Sequence, residues 1–178
     1  LATALKKLDI KIDILVNCAG VLEHGSFFDI TAKKHKGMID LNINGLTEML
    51  NYFLPPMIER GNGRILNVAS IAAFQPVPSL ATYAATKAYV LSLTESLSEE
   101  LANTGVTITA LCPGITATNM LTTVEESDNG LNIPSFIIGD VDDVAEQGYN
   151  ACLKGDVICV PGTINLAATL SGRATPKW

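Results

Sequence analysis

The sequence predicts an α/β fold in which helices flank a parallel sheet. Three short apolar runs suit buried strands, namely Ile12–Val16, Arg64–Ala69 and Val106–Leu111. They alternate with longer segments that carry the 3.6-residue period of a helix. The chain has 178 residues, of which 48% are hydrophobic, and 14 glycines, a composition and length that suit one domain built on a buried sheet.

Charge and composition argue against several classes of function. The net charge is -6 and no run of Lys or Arg occurs, so we expect no nucleic-acid partner. No apolar stretch approaches the ~20 residues of a membrane span, and no signal peptide is recognisable. The four cysteines (Cys18, Cys112, Cys152 and Cys159) lack metal-type spacing. We expect buried free thiols in the cytoplasm, no metal site, and ordinary surface positions for His24 and His35.

The central stretch of the chain is a strand, a loop and a long helix. The strand Arg64–Ala69 ends at Ser70, and the helix is predicted over Thr82–Leu101. One stripe of this helix is spaced by four and three residues in turn: Tyr83, Lys87, Val90, Thr94, Leu97 and Leu101. Tyr83 and Lys87 are therefore helix neighbours on the face that turns to the core, where a lysine needs a partner or a use.

This spacing permits proton transfer by Tyr83. A free tyrosine has a pKa of about 10, and an ammonium ~5 Å away at an effective dielectric of ~20 favours the phenolate by ~3 kcal/mol, or roughly two pKa units. We therefore expect the pKa of Tyr83 to fall within reach of neutrality. The hydroxyl of Ser70 could then hold a carbonyl or carbinol oxygen. Snorkelling at the helix edge would explain a lone lysine, but not this pair one loop after a serine.

The pattern N-V-A-S, then thirteen residues from Ser70 to Tyr83, then Y-A-A-T-K, resembles the catalytic core of the classical short-chain dehydrogenases/reductases. This resemblance implies a Rossmann-like doubly wound parallel sheet flanked by helices. It also implies hydride transfer between NAD or NADP and a small-molecule carbonyl or alcohol. By this resemblance Tyr83 is the general acid/base, Lys87 lowers its pKa and holds the nicotinamide ribose, and Ser70 positions the substrate oxygen.

A second match follows the first strand. Asn17-Cys18-Ala19-Gly20 is similar to the N-N-A-G of the family, with Cys18 in place of the second Asn. In the family this loop lines the adenine-ribose side of the cofactor and stabilises the sheet, which assigns Asn17, Ala19 and Gly20 to the cofactor. An ordinary strand-ending turn explains Gly20 equally well.

Two further matches complete the site that the resemblance implies. L-N-I-N-G resembles N-[VIL]-x-G, and Asn42 fits the family's kink asparagine, which supports a proton relay, better than Asn44 does. A surface asparagine is the alternative. After the third strand, the segment from Pro113-Gly114-Ile115 to Thr118 resembles P-G-x-x-x-T, which cups the nicotinamide in the family. A common Pro-Gly turn is the alternative there.

The remaining elements are predicted from caps and breakers. Thr31 caps a helix that runs to Asn42, and Leu46–Arg60 is helical with Pro55-Pro56 breaking or kinking it. Residues 119–139 correspond to the family's substrate lid. A helix follows over Asp140–Leu153, and the last strand is Val157–Val160.

The glycine-rich T-G-x-x-x-G-x-G turn of the family is not found in residues 1–178. Leu1, Leu5 and Leu8 already share a helical face. We therefore expect 1–178 to be one NAD(P)-binding domain that lacks its first strands, with Ile12–Val16 as an open edge that makes it poorly soluble and inactive alone. NAD and NADP cannot be distinguished without those strands.

Two other functions are alternatives to the oxidoreductase hypothesis. A non-catalytic dinucleotide-binding or scaffold protein could keep the fold, although loss of Ser, Tyr or Lys would then be expected. An epimerase or dehydratase of the extended short-chain group is a third possibility. By the resemblance, the helices Leu46–Met57 and Thr82–Leu101 form the contacts of a homodimer or homotetramer. Ala84, Ala85 and Ala88 are predicted to lie off the core-facing stripe, where small side chains let a second helix approach closely. The alternative is that these alanines are only good helix formers.

Overall fold

The described part of the chain alternates strands and helices. A computed structural model of the chain describes residues 5, 7, 8, 10–116 and 138–174. The strands are β1 (Ile14–Asn17), β2 (Gly63–Val68), β3 (Val106–Leu111) and β4 (Ile158–Cys159). The helices are α1 (Ala32–Ile39), α2 (Leu46–Glu59), α3 (Ala81–Glu100), α4 (Val141–Lys154) and α5 (Thr163–Ala174). A π-helical segment over Asp40–Gly45 joins α1 to α2, and a 3₁₀ turn over Ile71–Ala73 follows β2.

The four strands form one parallel sheet in the order β1-β2-β3-β4. Ile65 of β2 lies between Leu15 and Ile108, and Leu111 of β3 pairs with Cys159. Parallel strands need crossover connections, and here these contain helices. The predicted α/β class with a parallel sheet is confirmed.

Helices cover both faces of the sheet. On one face, Met57 of α2 and Val90 of α3 pack in the same buried cluster as Ile65 and Ile108. On the other face, Cys152 of α4 packs against Leu66 and Leu111. This arrangement is the doubly wound architecture, and it leaves the carboxyl ends of the strands at one edge of the sheet.

The predicted element boundaries agree to within a few residues. Thr31 caps α1 by accepting a hydrogen bond from Lys34 N, and Asp140 caps α4 by accepting from Asp142 N and Asp143 N. Of the two effects predicted for Pro55-Pro56, a break does not occur, because α2 runs through both prolines to Glu59. The two carbonyls that lose a helical partner belong to Asn51 and Tyr52, which are exposed and can bind water.

Two surface predictions need correction. Cys18 is exposed rather than buried, because Asn17 points to the core and the alternation of an extended segment turns the next side chain outward. His35 is not a free surface residue, since its ring stacks on Phe27 and bonds Phe27 O and Thr82 Oγ1. Within the described ranges, no helix has the length and apolarity needed to cross a membrane.

Candidate functional site

The segment after β2 places Ser70 beside the end of β3. Ala69 N donates to Leu111 O at 2.7 Å, and Ile71 N donates to Pro113 O at 2.9 Å. Ser70 lies between these two bonds and caps the 3₁₀ turn, its Oγ accepting from Ala72 N at 3.1 Å. The serine is thereby fixed at the carboxyl ends of two central strands.

Tyr83 and Lys87 of α3 point at the same place. Tyr83 is only 8% exposed and Lys87 only 6% exposed. The side chain of Ser70 lies near enough to the Tyr83 hydroxyl to lower the pKa of that group. Lys87 Nζ donates to Val68 O, the last carbonyl of β2, at 2.8 Å and lies 5.7 Å from the centroid of the Tyr83 ring. The predicted convergence of the three side chains at the carboxyl end of the sheet is confirmed.

Burial controls the protonation of both α3 side chains. It raises the pKa of Tyr83, an effect that the nearby Ser70 side chain offsets only in part. Burial also lowers the pKa of Lys87 from 10.5 to about 8, while the nearby thiols of Cys18 and Cys112 act in the opposite direction. The prediction that Lys87 brings the pKa of Tyr83 towards neutrality is therefore wrong for the ligand-free protein, in which desolvation outweighs the attraction.

Asn42 lies in the π-helical segment and is 2% exposed. Its side chain accepts from Val21 N at 2.9 Å and donates to Val21 O at 3.0 Å and to Thr86 Oγ1 at 3.0 Å. Thr86 in turn donates to Tyr83 O. Asn42 thus joins the loop after β1 to the turn of α3 that carries Tyr83, whereas Asn44 is exposed and bonds Asp40.

The loop after β1 approaches Lys87 closely at Gly20. A Cβ at this position would lie 3.3 Å from Asn42 Oδ1 and 3.5 Å from Lys87 Nζ. Asn17 is buried and donates from Nδ2 to Asn67 Oδ1 at 2.8 Å, while Ala19 is exposed. The main chain of this loop therefore forms one wall beside the lysine.

The turn after β3 forms a second wall. Gly114 packs under Asn165 of α5, and a Cβ on Gly114 would lie 2.5 Å from that amide group. Asn165 Nδ2 is held by Pro161 O at 2.8 Å, and Ile115 O accepts from Gly139 N at 2.8 Å. Thr118 and nearly all of the lid predicted over 119–139 lie outside the described residues.

Sequence reasoning missed several polar residues that support the site. Asn67, Thr86 and Thr94 are all 0% exposed. Asn67 interrupts an apolar strand, and Thr94 shares the stripe of Tyr83 and Lys87, so each was a visible exception in an apolar pattern. Asn165 carried no such signal. Within the described ranges, no group of three or more His, Cys, Asp or Glu could hold a metal ion.

Part of the chain is similar in sequence to known proteins. The family model for short chain dehydrogenases matches residues 1–129. An uncharacterized oxidoreductase of Staphylococcus epidermidis is 40% identical over 109 residues, which are 61% of this chain and 47% of the relative. Oxidoreductase UcpA of Escherichia coli is 38% identical over 125 residues, 70% of this chain and 48% of the relative. The chain thus spans about half the length of these curated relatives.

Solved structures match the fold over most of the chain. A short-chain dehydrogenase from Sphingobium yanoikuyae in complex with NADPH has a TM-score of 0.80 at 27% identity, covering 97% of this chain and 68% of that one. The 3-ketoacyl-(acyl-carrier-protein) reductase from Brucella melitensis complexed with NADH has a TM-score of 0.73 at 31% identity, covering 89% and 67%. Since the family model also covers well over half of its residues, the chain belongs to the short-chain dehydrogenase family.

Proposed function

We propose that the protein containing this chain is an NAD(P)-dependent oxidoreductase that interconverts a carbonyl and an alcohol group of a small molecule. The observation that carries this proposal is the convergence of Ser70, Tyr83 and Lys87 at the carboxyl end of β2. Ligands of open α/β sheets bind at this edge. A protein that only bound dinucleotides or served as a scaffold would have no need to bury Tyr83 and Lys87 beside the half-buried Ser70.

The residues present fit the nicotinamide end of such a cofactor. An ammonium has three donors, and within the described residues Lys87 uses one of them on Val68 O, which leaves two for the hydroxyls of a ribose. The absence of a side chain at Gly20 keeps the space beside Nζ open. Similar proteins of known structure were solved with NADPH and with NADH, so we propose NAD or NADP without choosing between them.

When bound, the cofactor supplies or accepts the hydride. Tyr83 supplies the matching proton. Because burial raises its pKa, Tyr83 stays protonated at neutral pH and is ready to act as an acid on a carbonyl oxygen held by Ser70. The developing phenolate is stabilised by the Lys87 ammonium, whose pKa of about 8 keeps most of it charged at pH 7.

The residues around this trio keep it in place. Asn42 bonds the main chain of Val21 on one side and Thr86 on the other, and so holds the turn of α3 that carries Tyr83 against the loop at Gly20. We therefore assign Asn42 to support of the proton-transfer group. Asn17, Ala19, Pro113, Gly114, Ile115 and Thr118 remain proposed cofactor contacts.

The test is Tyr83→Phe in the full-length protein. Turnover of a panel of ketones with reduced nicotinamide should fall by about 10²–10⁴-fold, because the ring is kept and only the proton donor is lost. Cofactor affinity, measured by fluorescence titration, should stay the same. Tyr89→Phe is the matched control, since Tyr89 lies on the same helix and its hydroxyl bonds Thr47.

Two results would contradict the proposal. Wild-type turnover in Tyr83→Phe would remove Tyr83 from the chemistry. A wild-type protein that binds reduced cofactor but oxidises it with no member of the panel would favour the non-catalytic alternative.

A further inference from the structure

A chain of buried side-chain hydrogen bonds crosses the sheet behind the site. Asn17 Nδ2 donates to Asn67 Oδ1 at 2.8 Å, Asn67 Nδ2 donates to Thr94 Oγ1 at 3.0 Å, and Thr94 Oγ1 donates to Val90 O at 2.7 Å. Asn17 is 9% exposed, and Asn67 and Thr94 are 0% exposed. These hydrogen bonds link β1, β2 and α3. Lys87 lies on α3, bonds the last carbonyl of β2 and lies close to the loop that follows β1.

The direction of this chain is fixed. Thr94 gives its one hydroxyl proton to Val90 O, so it can only accept from Asn67. The amide nitrogen of Asn67 must then face Thr94, and the amide oxygen of Asn67 must face Asn17. A shift of α3 or of the loop after β1 would leave a buried donor or acceptor unpaired, which is unfavourable.

The residues that form this row of hydrogen bonds lie next to the proposed functional groups. Asn17 begins the loop that reaches Gly20, where the main chain passes close to Lys87 Nζ. Asn67 immediately precedes Val68, whose carbonyl holds Lys87. Thr94 is seven residues beyond Lys87, two turns along the same helix face. The row of hydrogen bonds therefore fixes the position of α3 along β2, and with it the position of Lys87.

We infer that Asn67 is a positioning residue that holds the loop after β1 and helix α3 in register with β2, so that the Lys87 ammonium meets the cofactor. Apolar attraction is non-directional, whereas a pair of hydrogen bonds with fixed donors and acceptors specifies one register of α3 against β2. This inference rests on the proposed function. Asn67 is fully buried, so we assign it no contact with cofactor or substrate.

The experiment uses the full-length protein and reduced nicotinamide cofactor. Asn67→Leu removes both hydrogen bonds with little change in volume. Thr94→Val removes one of them without changing the shape of the side chain. Each should weaken cofactor binding about tenfold, as expected for a lost bond worth about 1.4 kcal/mol. Each should also lower kcat at saturating cofactor, because a displaced Lys87 stabilises the phenolate of Tyr83 less, while the KM for the carbonyl substrate stays close to wild type. If Asn67→Leu does not fold, Thr94→Val decides the question.

Two controls separate positioning from stability. Thr109→Val makes the same change at another fully buried threonine, whose hydroxyl has no partner in the described structure, and should leave cofactor affinity unchanged. Met57→Ala empties a fully buried core position at the far end of α2 and should lower thermal stability without weakening the cofactor.

The outcomes of this experiment separate the two claims. Wild-type cofactor affinity in Asn67→Leu and Thr94→Val overturns the inference. The inference is also overturned if Met57→Ala, with the same loss of thermal stability as Asn67→Leu, loses as much cofactor affinity as Asn67→Leu does. Wild-type protein that binds no reduced nicotinamide overturns the proposed function itself, and this inference with it.

Discussion

Replacing Lys87 by Met should stabilise the ligand-free protein at pH 7. Burial lowers the pKa of Lys87 from 10.5 to about 8, so the folded state disfavours the ammonium. At ~1.36 kcal/mol per pKa unit this corresponds to about 3 kcal/mol. The methionine gives up the hydrogen bond to Val68 O, which is worth about 1 kcal/mol. We expect the free energy of unfolding to rise by about 2 kcal/mol, although cofactor binding and turnover are lost.

The pH dependence of this gain tests its cause. Between pH 8 and 10.5 the unfolded wild-type chain keeps the lysine proton that the folded state has released. The unfolded state then binds more protons, so the stability of the wild type rises with pH relative to the variant. The advantage of Lys87→Met should therefore be complete below pH 8 and should shrink by about 1.4 kcal/mol per pH unit above it.

Denaturant unfolding of the full-length protein at several pH values measures both effects. Lys33→Met, at an exposed position on α1, is the control and should change stability by less than about 0.5 kcal/mol. A Lys87→Met variant that is less stable than wild type at pH 7 would refute the reasoning. An advantage that does not change with pH would mean that packing, and not the buried charge, is responsible.

Two further predictions concern packing and assembly. Gly105→Ala should destabilise the protein by more than about 2 kcal/mol in the same unfolding assay, because the φ angle of Gly105 is 79° and the new Cβ would lie 2.1 Å from Gly61 O. Gly37→Ala is the control: this position on α1 has open space around it, so the change should be neutral or stabilising. We also predict a homodimer or homotetramer, through a largely apolar groove of about 450 Å³ between α2 and α3 that includes Leu54 and Leu93. Light scattering at micromolar concentration should show the oligomer and its loss in Leu54→Glu; a clean wild-type monomer would rule it out.

One of the alanines predicted to lie in that interface is buried inside the chain. Ala84 was expected to lie off the core-facing stripe and to admit a neighbouring helix. In the structure it is 5% exposed and packs inside the chain with Met38 and Ala72. Ala85 is exposed and remains available for such a contact.

The elements that the sequence predicts well are those whose signal is local. The apolar strands and the caps at Thr31 and Asp140 depend on neighbouring residues, and they appear at the expected places. The pairing of Tyr83 with Lys87 is also local, because a helix brings residues four apart together. Ser70 lies at the start of the long connection between β2 and α3, and the resemblance, not the local pattern, predicts that it meets the other two.

The features that sequence does not reveal depend on distant partners. Helix spacing gives the separation of Tyr83 and Lys87 but not their burial, and burial decides the direction of both pKa changes. The bonds of Asn42 to Val21 and Thr86 join positions 21 and 44 residues away. Asn67 finds its partners 50 and 27 residues away, so neither could be read from the strand that contains it.

The central claim is that hydride passes to a carbonyl carbon while Tyr83 delivers the proton. The most direct measurement supplies the full-length protein with reduced nicotinamide cofactor carrying deuterium at both C4 positions and analyses the alcohol product by mass spectrometry and NMR. We predict one deuterium on the carbinol carbon with wild-type protein, and labelled product reduced by at least about 10²-fold with Tyr83→Phe. Product that carries no deuterium on that carbon, or equal labelling by the Phe variant, would contradict the account.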